Sequence, residues 1–261
     1  MRQPAKKNNS IDKALTILLA FAPYNNEMGT IEISRKLGFH KATVSRILLN
    51  LTRHGFLHQN PKTKKFVLGP TILTLAGTVR LSLNNNMLHI AKPFVDDLRD
   101  KIKETVILEV ISGENTIIVY IAEGPRPIRI AGTVGDILPA HVAAGAKAIL
   151  AFSSPNVWKR FFNAKLPSFT ENTITDPKVL HEQFGDIRRQ GFAFDKEEHD
   201  IGINAIGAPI FNNEDKPVAA IVVAGPSQRI TWDNDSSYVP KVKETAAKIS
   251  AQLYYTNGNI N

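Results

Sequence analysis

One predicted helix in the first third of the chain carries small, polar and basic side chains that suit contact with a polyanion. Its apolar residues recur at helical spacing from Val44 to Leu51. The opposite side of the helix carries Ala42, Arg46 and Arg53. Small residues allow close approach to DNA and an arginine can donate two hydrogen bonds to guanine, whereas hydroxyl and ammonium groups suit phosphate oxygens. The candidate DNA-binding residues of this helix are Lys41, Ala42, Thr43, Ser45, Arg46 and Arg53.

A hairpin with a basic tip is predicted directly after this helix. Two β-prone stretches, residues 56–59 and 66–69, flank an Asn-Pro turn, which is typical of a β-hairpin. Lys62, Lys64 and Lys65 stand at the tip and complete the set of candidate DNA contacts. A cationic hairpin beside a base-reading helix binds the phosphate backbone and adds affinity with little sequence preference.

Three predicted helices precede the hairpin, and the last of them is the one described above. The first spans residues 11–22 with Ser10 as its N-cap, the second spans 31–37, and the third spans 40–54. A short turn at Gly38 joins the second helix to the longer third, which is the pattern of a helix-turn-helix. With the hairpin, the pattern indicates a winged helix-turn-helix. A dimerisation or protein-docking module with the same elements remains an alternative.

The chain of 261 residues concentrates its positive charge in this region. Residues 1–83 hold 13 Lys and Arg against three acids, a net charge of +10, while the rest of the chain carries a net charge of −2. This asymmetry indicates a polyanion-binding module joined to a body with a different task. A solvated lysine-rich surface is the alternative interpretation.

The composition excludes several classes of protein. The chain has no cysteine, so it can hold no disulfide, cysteine nucleophile or thiolate metal site. No apolar run approaches the roughly 18–20 residues of a membrane span, and no secretory apolar stretch follows the basic N-terminus. We therefore expect a cytoplasmic protein without a membrane partner.

Helical and strand-like patterns alternate after the hairpin. An apolar helix over residues 70–83 is followed by Asn84-Asn85-Asn86, which we interpret as a linker helix and a hinge. Antiparallel strands joined by hairpin turns and mixed with helices indicate an α+β domain. Further helices are predicted over residues 87–103, 140–152, 155–162, 177–190 and 235–255, and strands over 105–111, 116–122, 192–195, 205–211 and 217–224.

The sequence shows no catalytic motif. A nucleophile elbow, a phosphate-binding loop, a zinc-protease motif and a dinucleotide fingerprint are all absent from it. The densest polar cluster, EEHD at residues 197–200, lacks the spacing of a metal site, and we interpret it as solvated turn residues. We interpret His141 and His181 as structural histidines. We expect neither catalysis nor a metal or cofactor, and an enzyme that carries a nucleic-acid-docking domain is the alternative.

Two groups of motifs resemble those of one known family. Residues 31–57 read IEISRKLGFHKATVSRILLNLTRHGFL, and later stretches read LPAH at 138–141, GAKAILA at 145–151 and GFAFDKEE at 191–198. In this order and spacing they resemble the IclR family of bacterial transcriptional regulators, over nearly the whole chain.

The resemblance implies a winged helix-turn-helix DNA-binding domain over residues 1–69, a linker helix and hinge over 70–86, and an effector-binding and oligomerisation domain over 87–261. This last domain would be a GAF/profilin-like antiparallel sheet flanked by helices. The implied function is a sequence-specific regulator, repressor or activator, that responds to a small molecule. Its implied partners are a near-palindromic operator in double-stranded DNA, the effector, and copies of the chain in a homodimer or dimer of dimers. A non-specific chromosome-associated protein is the alternative.

The resemblance also implies which residues line an effector site. Backbone N–H groups of Ala144 and Gly145, at a helix start, would hold a carboxylate, and Asp195 would accept a hydrogen bond from a hydroxyl group. The implied effector-binding set is Leu138, Ala144, Gly145, Asp195, Ile203, Ala205, Val222 and Ala224.

Three of these positions depart from the family's pattern. Ala205, Val222 and Ala224 stand where family members that bind small polar acids often carry Cys, Ser and Ser. The loss of three polar side chains predicts a less polar cavity. We therefore expect an organic acid with an apolar or aromatic part as the effector, rather than a two- or three-carbon oxoacid.

Overall fold

The computed structural model describes residues 9–22, 24–83, 87–162, 166–231 and 237–258. Within these ranges the chain forms two compact units, which divide between Asn85 and Asn86. The hinge expected at residues 84–86 lies outside the described residues. The first unit contains α1 (Ser10–Leu19), α2 (Thr30–Leu37), α3 (Lys41–Arg53), β1 (Leu57–Gln59), β2 (Phe66–Leu68) and α4 (Thr71–Leu83).

The first three helices and the hairpin of this unit share one apolar core. Ile17 of α1, Ile33 of α2 and Val44 of α3 are buried in it, as the helical spacing of apolar residues predicts. Strands β1 and β2 pair antiparallel and add Leu57 and Phe66 to the same core. The winged helix-turn-helix expected from the sequence is confirmed.

The start of α1 differs from the sequence expectation, because Asn9 and not Ser10 is the N-cap. The Asn9 side chain accepts a hydrogen bond from the N–H of Asp12, and the Asp12 carboxylate accepts one from the N–H of Asn9. This reciprocal pair satisfies two N–H groups that the helix itself leaves without partners. Ser10 is the first residue of the helix.

The second unit is an α+β domain, as expected. Its strands form one antiparallel sheet in the order β5-β4-β3-β8-β7-β6. Its elements are α5 (Met87–Ile102), β3 (Thr105–Ser112), β4 (Asn115–Ala122), β5 (Ile137–Pro139), α6 (Ala144–Phe152), α7 (Pro155–Phe162), α8 (Pro177–Gln190), β6 (Ala193–Lys196), β7 (Ile203–Phe211), β8 (Pro217–Pro226) and α9 (Tyr238–Gly258).

Different helices cover the two faces of this sheet. Successive residues of a strand point to opposite faces, so Val106 and Leu108 of β3 pack into the core that α5 and α9 cover. Ile107 and Glu109 point to the other face, which carries α6. The start of α6 therefore lies over a part of the sheet that combines apolar residues with one acid.

Two helix boundaries differ from those that the sequence predicts. The helix predicted over residues 140–152 begins at Ala144. Residues 140–142 form a turn instead, with a hydrogen bond from the N–H of Val142 to the carbonyl of Pro139 at 3.2 Å, and Ala143 is the N-cap. The predicted start of the last helix, Asp235, lies outside the described residues, and the helix is described from Tyr238.

Candidate functional site

The side of α3 that faces away from the core presents the residues expected to contact DNA. Lys41, Ala42, Arg46 and Arg53 are exposed, and Thr43 and Ser45 are half-buried. Leu49, which is 57% exposed, lies on the same side and was missed by the sequence analysis. Its helical spacing from Ala42 and Arg46 was the available signal. An apolar side chain at such a position can contact the methyl group of thymine.

The tip of the β1–β2 hairpin is held by hydrogen bonds to the segment before α2. Glu27 accepts one from Nδ2 of Asn60 at 2.6 Å and another from the hydroxyl of Thr63 at 3.0 Å. The side chain of Asn60 also accepts from the N–H of Lys62 at 2.9 Å. These contacts fix the backbone from which the lysines of the tip extend.

The three lysines of the tip differ in their surroundings. Lys62 and Lys64 are exposed. Lys65 forms an ion pair with Glu32 at 3.0 Å. The hydrogen bond from the N–H of Gly29 and the one from Lys65 lower the pKa of Glu32. Lys65 therefore links the hairpin to the start of α2, while the other two lysines extend from the tip.

A cavity of about 310 Å³ lies on the α6 face of the sheet, at the start of α6. Its volume is at the lower end of the range found for small-molecule sites. Seven of the eight residues expected in the effector site line it: Leu138, Ala144, Asp195, Ile203, Ala205, Val222 and Ala224. The eighth, Gly145, is not among the lining residues, and a Cβ on it would overlap the side chains of Glu109 and Val222.

The walls of the cavity are mainly apolar. Ile107, Ile118 and Val222 are buried there together with Ala205 and Ala224. The alanines and the valine are the residues at which the chain departs from the family's pattern. An apolar part of a ligand would therefore find apolar contacts on the sheet side of the cavity.

The segment between β4 and β5 supplies another wall and is anchored by a buried carboxylate. Glu104 accepts hydrogen bonds from Arg126 and Arg229, each at 2.6 Å. The hydroxyl of Thr105 donates to the carbonyl of Ile130, a lining residue, at 2.6 Å. These bonds hold the segment in place beside the cavity.

Asp195 is the lining carboxylate that the resemblance implied. One of its oxygens accepts a hydrogen bond from the N–H of Glu198 at 2.8 Å. Burial raises the pKa of Asp195 to about 7, although the nearby Lys147 acts in the opposite direction. Glu198 pairs with Lys147 of α6, and both side chains are buried. The interpretation of residues 197–200 as solvated turn residues is therefore wrong for Glu198, since a buried lysine requires a partner of opposite charge.

The histidines have different neighbours. His141 donates a hydrogen bond to the carbonyl of Pro167 at 2.9 Å, and burial lowers its pKa. The ring of His181 lies 4.8 Å from that of Trp158. The contacts of the buried His141 fit the structural role expected for it, whereas His181 is exposed and its role stays a prediction. His199, which lines the cavity, lies with its Nδ1 2.6 Å from a carboxylate oxygen of Asp200.

Glu109 is a cavity residue that the sequence analysis missed. Its side chain lines the cavity although the residue is only 4% exposed, and its Oε2 lies 3.2 Å from the hydroxyl of Thr116. Burial, together with a smaller effect of the nearby Asp195, raises the pKa of Glu109 to about 7, although the hydrogen bond from Thr116 acts in the opposite direction. The available signal was a single acid inside the apolar run from Thr105 to Ile111.

The described part of the chain offers binding sites of two kinds, an exposed basic surface and a partly apolar cavity. In the ranges that the structure describes, no group of three or more His, Asp and Glu side chains could hold a metal ion. Over the same ranges, every helix is too short or too polar to cross a membrane.

Two family models match the sequence. The IclR helix-turn-helix domain matches residues 10–61, and the C-terminal domain of the bacterial transcriptional regulator IclR matches residues 81–251. The second match alone covers more than half of the chain. The chain belongs to the IclR family.

Similar proteins are regulators of the same family. The chain is 32% identical over 219 residues to the HTH-type transcriptional regulator Rv1719 of Mycobacterium tuberculosis, and this match covers 84% of the chain and 83% of that protein. It is 28% identical over 244 residues to the transcriptional repressor IclR of Escherichia coli, which covers 92% of the chain and 88% of the repressor.

Solved structures of IclR proteins share the fold. The IclR protein of Thermotoga maritima superposes with a TM-score of 0.71 at 29% identity, over 95% of this chain and 99% of that one. An IclR homologue of Microbacterium hydrocarbonoxydans, solved in complex with 4-hydroxybenzoate, superposes with a TM-score of 0.79 at 20% identity, over 95% and 100%. As a member of the IclR family, the chain is a transcriptional regulator with a DNA-binding helix-turn-helix domain and an effector-binding domain.

Proposed function

We propose that this IclR-family regulator places α3 in the major groove of its operator and the β1–β2 hairpin against the phosphate backbone. The observation that carries this proposal is the exposed side of α3, with Ala42, Arg46 and Arg53, in the unit that holds the chain's excess of positive charge. In this proposal Arg46 reads base edges. The phosphate contacts come from Lys41, Thr43, Ser45, Arg53, Lys62, Lys64 and Lys65.

We propose that the regulator binds DNA as a homodimer, which can pair further into a dimer of dimers. Helix α1 supports this, because Ile11, Leu15 and Leu19 lie four residues apart along one side and are between 54% and 70% exposed. An apolar stripe of this kind is stabilised when a partner covers it. Two copies related by a two-fold axis would place two α3 helices on the half-sites of a near-palindromic operator.

We propose that the effector is an organic acid with an apolar or aromatic part, and that the cavity on the second unit binds it without turnover. The apolar walls formed by Ile107, Ile118 and Val222 support such a ligand. The 4-hydroxybenzoate bound to the homologue of M. hydrocarbonoxydans is an acid of this type. Binding would change operator affinity or promoter activity in the cytoplasm, through the segment over residues 70–86 that joins the two domains proposed at 1–69 and 87–261.

A mobility-shift experiment on DNA from the protein's own locus tests this function. The purified full chain should retard one fragment at lower concentration than scrambled duplexes of equal length, and footprinting should protect one near-palindromic site. Equal affinity for all duplexes would favour a non-specific chromosome-associated protein. The proposal is wrong if no fragment is retarded at low ionic strength, with or without candidate acids.

A further inference from the structure

The carboxyl group of Glu109 occupies an unexpected place in the effector cavity. Its Oε2 packs so closely against the Cα of Gly145 that a methyl group on that glycine would overlap it. A carboxyl group of the protein thus lies beside the first turn of α6. The family resemblance implied that the carboxylate of the ligand binds at this same turn.

Glu109 shares the hydroxyl group of Thr116 with a backbone carbonyl. The hydroxyl oxygen of Thr116 lies 3.2 Å from Oε2 of Glu109 and 3.1 Å from the carbonyl oxygen of Val110. A hydroxyl group has one proton, so when Thr116 donates to Val110 it can only accept from Glu109. Among the residues that the structure describes, no Lys or Arg forms an ion pair with Glu109. A protonated Glu109 satisfies both contacts, and burial, which outweighs the opposing effect of a hydrogen bond donated by Thr116, favours that form.

Within the described ranges, the other ionisable groups that line the cavity include no Lys or Arg. They are the three acids Asp136, Asp195 and Asp200 and the imidazole of His199, which is itself bonded to Asp200. Lys147 of α6 is close to Asp195 but is paired with Glu198. A negative group of a ligand between Glu109 and Asp195 would be buried beside carboxyl oxygens without a Lys or Arg partner among the described lining residues, whereas a hydroxyl or amino group would meet acceptors.

We propose that Glu109 determines the specificity of the effector cavity. Together with Asp195 it binds a hydrogen-bond donor, such as a hydroxyl group, on the apolar part of the ligand, and it disfavours a second carboxylate at that end. The ligand class is a monocarboxylic acid with a hydroxyl group remote from its carboxylate, which lies away from these two side chains. This inference rests on the proposed effector role of the cavity, and it reverses the ligand orientation expected from the sequence.

Matched sets of acids test the proposal by calorimetry on the full chain. One set is benzoate, 4-hydroxybenzoate and terephthalate, and the other is hexanoate, 6-hydroxyhexanoate and adipate. The hydroxylated member of at least one set should bind about tenfold more tightly than its parent acid, which corresponds to one additional hydrogen bond in a buried site. The dicarboxylate of that set should bind more weakly than the hydroxylated acid.

Two substitutions assign this preference to Glu109. Glu109→Gln keeps a neutral hydrogen-bonding group and should keep the preference, whereas Glu109→Ala should reduce it to less than threefold. Glu114→Ala, at an exposed acid in the turn between β3 and β4, is the matched control and should leave all affinities unchanged. Circular dichroism establishes that each variant is folded.

The outcomes separate this inference from the proposed function. If acids bind but in neither set the hydroxylated acid binds more tightly than both its parent acid and its dicarboxylate, or if Glu109→Ala keeps the preference, the role of Glu109 is wrong while acid binding stands. If none of the six acids binds, the acid effector and the role of Glu109 both fail. The DNA-binding part of the proposed function is tested separately by the mobility shift.

Discussion

At the scale of single residues, Arg46 and Lys64 should contribute to DNA binding in different ways. Arg46→Ala removes a forked donor from the exposed side of α3, so discrimination at the contacted base pair should fall by about 1–3 kcal/mol. Lys64→Gln removes one charge from the hairpin tip, so affinity should fall alike for operator and scrambled DNA. The slope of log K against log salt should then flatten by about one unit. Fluorescence anisotropy over a range of salt concentrations measures both effects.

The control for this pair is Lys178→Gln, which removes an exposed lysine from the first turn of α8 in the other unit. It should change neither discrimination nor the salt slope. A loss of only sequence-independent affinity in both Arg46→Ala and Lys64→Gln would show that α3 is not the base-reading helix.

Glu109 should make the stability of the second unit fall as the pH rises. Burial raises the pKa of its carboxyl group from 4.5 to about 7, so the folded state binds the proton more tightly than the unfolded state. The stability that the folded state gains from a protonated Glu109 is fully present below pH 4.5 and is lost as the pH rises through about 7. Glu109→Gln cannot ionise, so relative to wild type its Tm should be higher at about pH 8 than at about pH 5.

Thermal unfolding of the full chain at both pH values measures this difference. Each kcal/mol in the free energy of unfolding shifts Tm by about 2–4 °C. Comparison with wild type cancels the contributions of titrating groups that do not interact with Glu109, and Glu109→Gln also removes the interaction with Asp195, whose pKa is raised as well. Glu114→Gln should show no pH-dependent difference, because its side chain is exposed. If the difference in Tm between Glu109→Gln and wild type is the same at both pH values, the pKa of Glu109 is not raised.

Seven residues of the cavity could be predicted from the sequence, Asp195 among them, but Glu109 and the burial of Glu198 could not. Leu138, Asp195 and Ala205 were identified from motifs whose order along the chain resembles the family's. Glu109 was missed because alternation along a strand does not reveal which face a cavity adjoins. Glu198 was assigned to solvent because its buried partner Lys147 is 51 residues away in the sequence.

At the scale of secondary-structure elements, two glycines should respond oppositely to alanine. In β7, a Cβ on Gly207 would lie 2.7 Å from backbone atoms of Ala144, at the start of α6. Gly207→Ala should therefore push α6 from the sheet, cost about 1–3 kcal/mol and alter the cavity wall. In α8, a Cβ on Gly185 meets only the end of the Arg189 side chain at 3.6 Å, so Gly185→Ala should stabilise the helix by about 0.5–1 kcal/mol.

Chemical denaturation of the full chain measures the two changes, and they serve as controls for each other because the same methyl group is added. Only Gly207→Ala should also weaken binding of an acid that wild type binds, since Ala144 lines the cavity. Equal effects of the two substitutions on stability would mean that α6 can shift on the sheet without cost.

The periodicity of apolar residues predicts whether a segment forms a helix or a strand. The first and last residues of each element depend on contacts with other parts of the chain, which periodicity does not reveal. Alanines before Ala144 favour a helix, but the hydrogen bond from Val142 to Pro139 makes a turn there. Strand β5 was missed because three residues are too few to show alternation, and it is defined by pairing with β4. The end of α8 was predicted correctly, because Gly191 adopts a left-handed conformation with a φ of 80°.

At the scale of the whole molecule, the charge distribution could be read from the sequence while the coupling between units could not. The net charge of +10 before residue 84 indicated a DNA-binding module, and the IclR family match supports that assignment. The coupling between effector binding and DNA binding depends on how much more tightly each ligand binds one conformation of the chain than another. The boundaries 1–69, 70–86 and 87–261 remain predictions, and the structure divides the chain between Asn85 and Asn86.

Operator and effector should influence each other by the same factor. If a hydroxylated acid changes the Kd for the operator by a given factor, thermodynamic linkage requires the operator to change the Kd for that acid equally, typically by about 5–150-fold. Anisotropy with and without saturating acid gives the first factor, and calorimetry with and without operator duplex gives the second. A scrambled duplex is the control and should leave the affinity for the acid unchanged. A factor of one in both directions, with a promoter that still responds to the acid, would mean that the effector acts after DNA binding.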